Sequence, residues 1–169
     1  WRMALNSLFA RTTQRTAFAF EPTPTHPPQN WREQMPVGFT IALLTEDVAQ
    51  RIDAGASGLD PWFIRIVGGP ARFAAYNLGM CVLANDYIAG FCAFCAIGGG
   101  EAELEVGTDP AFRGRGLATV AGAAFIEQCQ AQGLEPAYSA TSGNAPSIAV
   151  AAKLGFRPSD EITGYPLER

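Results

Sequence analysis

The period of the hydrophobic pattern changes several times along the chain, and each change marks an element. Phe39–Leu44 reads as a strand. Thr45 then supplies an N-cap and Asp47 an acidic first turn for a helix over Glu46–Ala54, which Gly55 stops. Residues 58–75 give no clear period, although Asp60-Pro61 suits a short helix start. Met80–Leu83 and Tyr87–Ile97 flank Asn85-Asp86, a pair that tolerates positive φ and predicts a hairpin. Gly98-Gly99-Gly100 reverses the chain again into Glu101–Thr108. There Glu101, Glu103 and Glu105 alternate with Ala102, Leu104 and Val106, as in a half-buried strand. Leu117, Val120, Ala121, Ala124, Phe125 and Cys129 form one helical stripe within 116–132, ended by Gly133. Tyr138–Thr141 reads as a strand, and Asn144 caps a further helix with Pro146 in its first turn. Gly155 closes that helix, and Phe156–Leu167 supplies two final strands or a hairpin.

Ahead of this series, Arg15–Phe20 can form a strand, but Pro22, Pro24, Pro27 and Pro28 enforce an extended path after it. The expected organisation is an arm and linker over 1–36 and one domain over 37–169. No internal repeat is visible.

Composition narrows the classes. The 169 residues are 48% hydrophobic and 17% charged, enough for one core and unlike a disordered chain. A formal charge of −4 argues against a nucleic-acid surface, which needs a basic field. No apolar run reaches the roughly 18 residues that span a bilayer, and Trp1–Arg15 lacks a signal-peptide core. The expectation is a soluble, cytoplasmic protein that binds neither membrane nor nucleic acid. The chain begins on Trp1 rather than Met, which leaves upstream residues an open question. Cys81, Cys92, Cys95 and Cys129 lie in apolar segments. Cys92 and Cys95, three apart in a strand, face opposite sides, so buried thiols are expected rather than a metal or redox pair. His26, the single histidine, sits among prolines, and neither a metal site nor a Ser-His-Asp triad is expected.

The informative junction is strand, Asp109-Pro110-Ala111-Phe112, the loop Arg113-Gly114-Arg115-Gly116-Leu117-Ala118, then helix. The first turn of a helix leaves backbone N–H groups without partners, and the peptide dipoles add roughly half a positive charge there. Gly114 and Gly116 carry no side chain to hold an anion off. Together these make a cradle for a pyrophosphate. A Walker loop fails because no Lys follows Gly116, and a dinucleotide fingerprint fails at Thr119. The alternative is a glycine turn that merely packs strand against helix.

Arg113-x-x-Gly116-x-Ala118 resembles the Arg/Gln-x-x-Gly-x-Gly/Ala signature of the GNAT acetyltransferases. Ser142-Gly143-Asn144-Ala145-Pro146-Ser147 and Lys153-Leu154-Gly155-Phe156 resemble the second conserved segment of that superfamily. The resemblance covers residues 79–157 and is closest to bacterial members whose loop ends in Gly-Leu-Ala. It implies an α+β (α/β) fold: a mixed, mainly antiparallel sheet of about six or seven strands with flanking helices, splayed between its fourth and fifth strands. Acetyl-CoA would enter the opening as co-substrate, with no metal. Its pyrophosphate would rest on Arg113–Ala118, and its pantetheine on backbone groups of Val106 and Thr108. Asn144 would reach the cofactor or the fifth strand, although a helix cap is the plainer role, and Ser147 would lie near the thiol. A small-molecule amine is the implied acceptor, and a homodimer is compatible with the family.

Attack on a thioester needs a neutral amine, and a lysine-like amine of pKa near 10.4 is almost wholly protonated at pH 7. A carboxylate therefore helps as base. The resemblance implies Glu103 first and Glu105 second, against the bland reading of a solvated strand face. Many relatives carry a Tyr after the second motif to protonate the thiolate. Here Ala151 stands there, which leaves Tyr138 or Tyr165 as substitutes. That departure keeps open a second class, a catalytically silent acyl-CoA-binding regulatory module.

Overall fold

The computed structural model describes residues 13–20 and 30–164. In chain order they form β1 (Thr13–Phe20), β2 (Thr40–Leu43), α1 (Glu46–Asp53), α2 (Trp62–Ile66) and α3 (Pro70–Ala75). There follow β3 (Gly79–Ala84), β4 (Tyr87–Gly98), β5 (Glu101–Thr108), a 3-10 turn (Pro110–Phe112) and α4 (Leu117–Ala131). The described chain ends with β6 (Glu135–Thr141), α5 (Ala145–Lys153) and β7 (Phe156–Gly164). The strands make one seven-stranded sheet in the order β2-β3-β4-β5-β6-β1-β7. Among these neighbours β5 and β6 are parallel and the rest antiparallel.

The local signals act as expected where they are strong. Thr45 caps α1 through its side chain, and Asn85 takes φ 53° in the two-residue link between β3 and β4. The unpatterned stretch after Gly58 holds two short helices, α2 and α3. They carry Phe63 and Phe73, which stack on Phe91 and Phe94 of β4 at centroid distances of 4.2 and 4.9 Å. These ring pairs fix the short helices to the sheet, because five or six residues of helix have little stability of their own.

Two expectations change at the termini. Residues 13–20, assigned to an arm by sequence, lie inside the sheet as β1, between β6 and β7. Their partners, such as Thr141 opposite Arg15 and Phe156 opposite Phe20, are too distant in sequence for local pattern to reveal. The end of the linker is docked as well. Trp31 is buried and donates from Nε1 to Glu127 of α4 at 2.8 Å, beside an Arg32–Glu127 ion pair of 2.7 Å. At the other end, Phe156–Gly164 is one strand that pairs with β1 rather than turning back on itself. The proline run 22–28, with His26, and Tyr165 fall outside the described residues.

Helix α4 is also more enclosed than a single stripe. Gly122, Ala123 and Ile126 are buried together with the expected apolar positions. The sheet covers one side of α4, and Leu154, at the end of α5, packs against Gly122. Among the described residues no helix is long and apolar enough to cross a membrane.

The feature that makes a site is the failure of one strand pair. Glu135 N–H donates to Gly100 O at 2.9 Å, and parallel pairing runs from Glu101↔Glu135 to Glu103↔Ala137. It then stops, while β5 continues to Thr108 and β6 to Thr141. The expected splay is therefore present between β5 and β6. These are the strands expected as fourth and fifth, renumbered because β1 adds one.

Candidate functional site

The divergence opens a cleft of about 850 Å³. Its lining includes the last half of β5, the loop 113–119, the outer half of β6, the first turns of α5, and Gly58–Trp62.

At one end lies the glycine loop. Asp109 begins the 3-10 turn by accepting from Ala111 N–H at 2.9 Å, and the chain then rises into Arg113–Gly116. Gly114 and Gly116 have φ of 77° and 79°, the left-handed region that glycine enters without steric cost. A Cβ at either would meet no protein atom within 4 Å. Close packing therefore does not explain these glycines, both of which line the cleft. Among the described residues no backbone carbonyl accepts from the N–H groups of Gly114, Arg115 or Gly116. Those of Leu117 and Ala118 are free of helical partners by position. Leu117 buries its side chain and anchors the helix mouth. Arg113 and Arg115 flank it; Arg113 Nε donates to Thr108 O at 3.3 Å, and Arg115 sits over the rings of Phe39 and Phe112. Lys153 and Arg15 also line the cleft.

Along the cleft, Asp109 N–H donates to Ala89 O of β4 at 2.9 Å, so alternate residues of β5 turn the other way. Val106 and Thr108 thus direct backbone groups toward the gap, with the Thr108 carbonyl already taken by Arg113. Across the gap, Asn144 Oδ1 accepts from Ser147 N–H at 3.2 Å, which makes Asn144 the cap of α5 while it also lines the cleft. Ser147 Oγ lies 2.6 Å from Tyr138 Oη. Burial pushes the Tyr138 phenol up to about 12. Ala151 is fully buried and brings no hydroxyl.

The strand glutamates have different surroundings. Glu103 accepts a hydrogen bond from Ser139 Oγ of β6. Ser139 in turn accepts from Arg15 of β1, with Nη2 at 2.8 Å from its Oγ and 3.0 Å from its carbonyl. Glu105 lines the cleft itself, beside Trp62, Asp60 and Arg15. Burial pushes its carboxyl up to about 7, against the pull of Arg15 and a Trp62 hydrogen bond; Glu103 and Asp60 add to the rise. Sequence reasoning missed Arg15, Asp60, Trp62 and Ser139. They come from β1, the α1–α2 loop, α2 and β6, and no motif linked them.

The β4–β5 register shifts at a bulge in β4. Phe94 pairs with Leu104 and Ala96 with Glu103, which leaves Cys95 as the extra residue. Cys95 Sγ approaches Glu103 O at 3.4 Å, and burial pushes its thiol up to about 12. The Cys92 thiol, fully buried, is also pushed well up, chiefly by burial. Both are poor thiolates. Among the described residues no cluster of His, Cys, Asp or Glu could hold a metal ion.

The profile of the GNAT acetyltransferase family matches residues 1–165. An uncharacterized N-acetyltransferase, YdfB of Bacillus subtilis, is 29% identical over 154 residues, which is 90% of this chain and 56% of that protein. The chain thus spans little more than half the length of that relative. Among solved structures, a GCN5-related N-acetyltransferase-like protein from Streptococcus suis superposes with a TM-score of 0.74 at 22% identity, over 96% of this chain and 66% of that one. The ribosomal-protein-S18-alanine N-acetyltransferase of Escherichia coli gives 0.55 at 21% identity, over 72% and 79%. At these identities the two structures support the fold alone.

Proposed function

The chain belongs to the GNAT acetyltransferase family, and from that premise we propose that it moves an acetyl group from acetyl-CoA to a primary amine of a small molecule or peptide by direct attack. The observation that carries this reading is the split between β5 and β6, with unpartnered amides at one end and Glu105 at the other. The residues at the loop fit a diphosphate. Five N–H groups from Gly114 to Ala118 belong to the loop and first turn at a helix mouth, a Cβ at Gly114 or Gly116 would meet no protein atom within 4 Å, and Arg113, Arg115 and Lys153 are among the cations that line the cleft. Arg113, Arg115 and Lys153 would hold phosphate charge, and Val106 N–H and C=O would hold an extended amide arm. Acetyl-CoA, when bound, supplies an activated acyl carbon and a thiolate leaving group.

The chain's own residues then manage the protons. A carboxyl raised to about 7 is close to half ionised at neutral pH, so Glu105 can take a proton from an entering ammonium without being wholly protonated first. The amine nitrogen then bonds to the acyl carbon as the carbon–sulfur bond breaks. Glu103 is tied to Ser139 and, through it, to Arg15, and acts as a positioning residue beside the base. Tyr138, protonated throughout the physiological range, holds a proton at Oη available to the departing sulfur. The hydroxyl missing at Ala151 favours one second reading, an acyl-CoA-binding module without turnover. An assay of free thiol released from acetyl-CoA with a panel of primary amines separates them. Amine-dependent thiol release is expected, and saturable binding without release from any amine would contradict transfer.

A further inference from the structure

Asp109 stands at the joint between the two walls of the cleft. It is 5% exposed, the one buried charged side chain among the described residues. Its carboxylate gathers three donors from three segments. Oδ2 accepts from Gly58 N–H at 2.9 Å and from Tyr87 Oη at 2.5 Å, and Oδ1 accepts from Ala111 N–H at 2.9 Å. Gly58 opens the run Gly58–Trp62 that carries Leu59, Asp60 and Trp62 into the cleft, and Trp62 supports Glu105. Ala111 belongs to the 3-10 turn that feeds the glycine loop. Tyr87 begins β4 and fixes the carboxylate from the sheet side. Contact with Gly58 is close: a Cβ there would lie 2.8 Å from Asp109 Oδ2. Only a residue without a side chain lets the carboxylate reach that N–H. The hydrogen bonds, Tyr87 foremost, hold the Asp109 carboxyl below its ordinary range, consistent with an ionised acceptor of all three.

We infer that Asp109 is a positioning residue that couples the acceptor wall to the phosphate loop, so that one buried carboxylate sets the geometry of both substrate sites. The inference rests on the acetyl-transfer reading of the cleft. The short helices that follow Gly58–Trp62 are held to β4 by ring stacking, and Asp109 adds a tie from that run to the turn that leads into the glycine loop. An Asn at 109 keeps the size but puts an NH₂ in place of one oxygen, facing either Ala111 N–H or Gly58 N–H and Tyr87, which releases at least one wall.

The test uses Asp109→Asn and Gly58→Ala singly and together in the full chain. Acetyl-CoA affinity is read by calorimetry, and KM and kcat for an accepted amine by thiol release. Asp109→Asn is expected to weaken acetyl-CoA binding and raise the amine KM, each by about tenfold, with kcat at saturation reduced far less. Gly58→Ala, a change on the acceptor wall alone, is expected to weaken acetyl-CoA binding by about threefold or more by displacing Oδ2. The double variant should be no worse than Asp109→Asn. A purely structural role would instead lower the thermal midpoint and the active fraction, cutting kcat with both constants unchanged. Additive effects of the two substitutions, or acetyl-CoA affinity within twofold of wild type in both, would overturn the coupling. Thiol release by the wild type reads the enzymatic proposal separately, and the affinity arm stands even where no amine is turned over.

Discussion

At the scale of single residues, the decisive contrast is between two glutamates two positions apart on one strand. Alternation puts Glu103 and Glu105 on one face, and the family resemblance ranks Glu103 first. Periodicity does not report burial or neighbours, and these set them apart. Glu103 is held by Ser139, whereas Glu105 lies against Trp62 with its carboxyl raised to about 7. Glu105→Gln is therefore expected to lower kcat/KM by about 10²–10³ and to abolish a limb that rises with pH through about 7. Glu103→Gln should keep that limb and lose less. A pH–rate profile of each variant decides, and an intact limb in Glu105→Gln would remove it as base. The same shift predicts a stability effect. The folded pKa lies above the unfolded value of about 4.3, so the native state binds the proton more tightly. Stability present below that value is lost as pH rises through about 7. Glu105→Gln should thus gain in thermal midpoint over wild type at pH 8 relative to pH 4. Asn144 was legible because a cap is a local event, and it caps α5. Arg15 was not, because its partner Ser139 lies 124 residues away.

At the scale of elements, α4 and its leading loop have separable roles. The strand–loop–helix order was readable, since glycines and the onset of helical periodicity are local signals. The bulge at Cys95 was not, because it depends on which residue of β5 each residue of β4 meets. Gly116 starts α4 at φ 79°. Gly116→Ala is expected to cost about 1 kcal/mol of stability, from the left-handed backbone, and to leave the fold intact. Gly116→Glu adds a carboxylate beside the proposed diphosphate, and calorimetry should find acetyl-CoA affinity reduced at least about a hundredfold. Further along the helix, a Cβ at Gly122 would meet Leu154 Cδ1 at 2.5 Å. Gly122→Leu should destabilise the fold by about 1–3 kcal/mol through overpacking, read as a lower thermal midpoint. An unchanged midpoint would mean that α5 moves freely against α4.

At the scale of the whole molecule, the chain closes on itself through its first described strand. The order of elements was carried well by the pattern of hydrophobic residues, whereas the mixed sheet and its split were what the family resemblance implied. The position of β1 required long-range pairing and escaped that pattern. Because β1 lies between β6 and β7 and buries Phe18, removal of residues 1–20 should leave β7 without a partner and abolish cooperative unfolding. A truncated chain that melts like the intact one would contradict that dependence. The central proposal rests on that split: backbone amides at its open end, beyond Thr108, would grip a diphosphate and present a thioester near Glu105. Amide resonances followed during titration with acetyl-CoA test this directly. The N–H signals of Gly114–Ala118 and Val106 are expected to shift together and saturate with one affinity. Saturable binding that leaves those six signals unmoved would contradict the account.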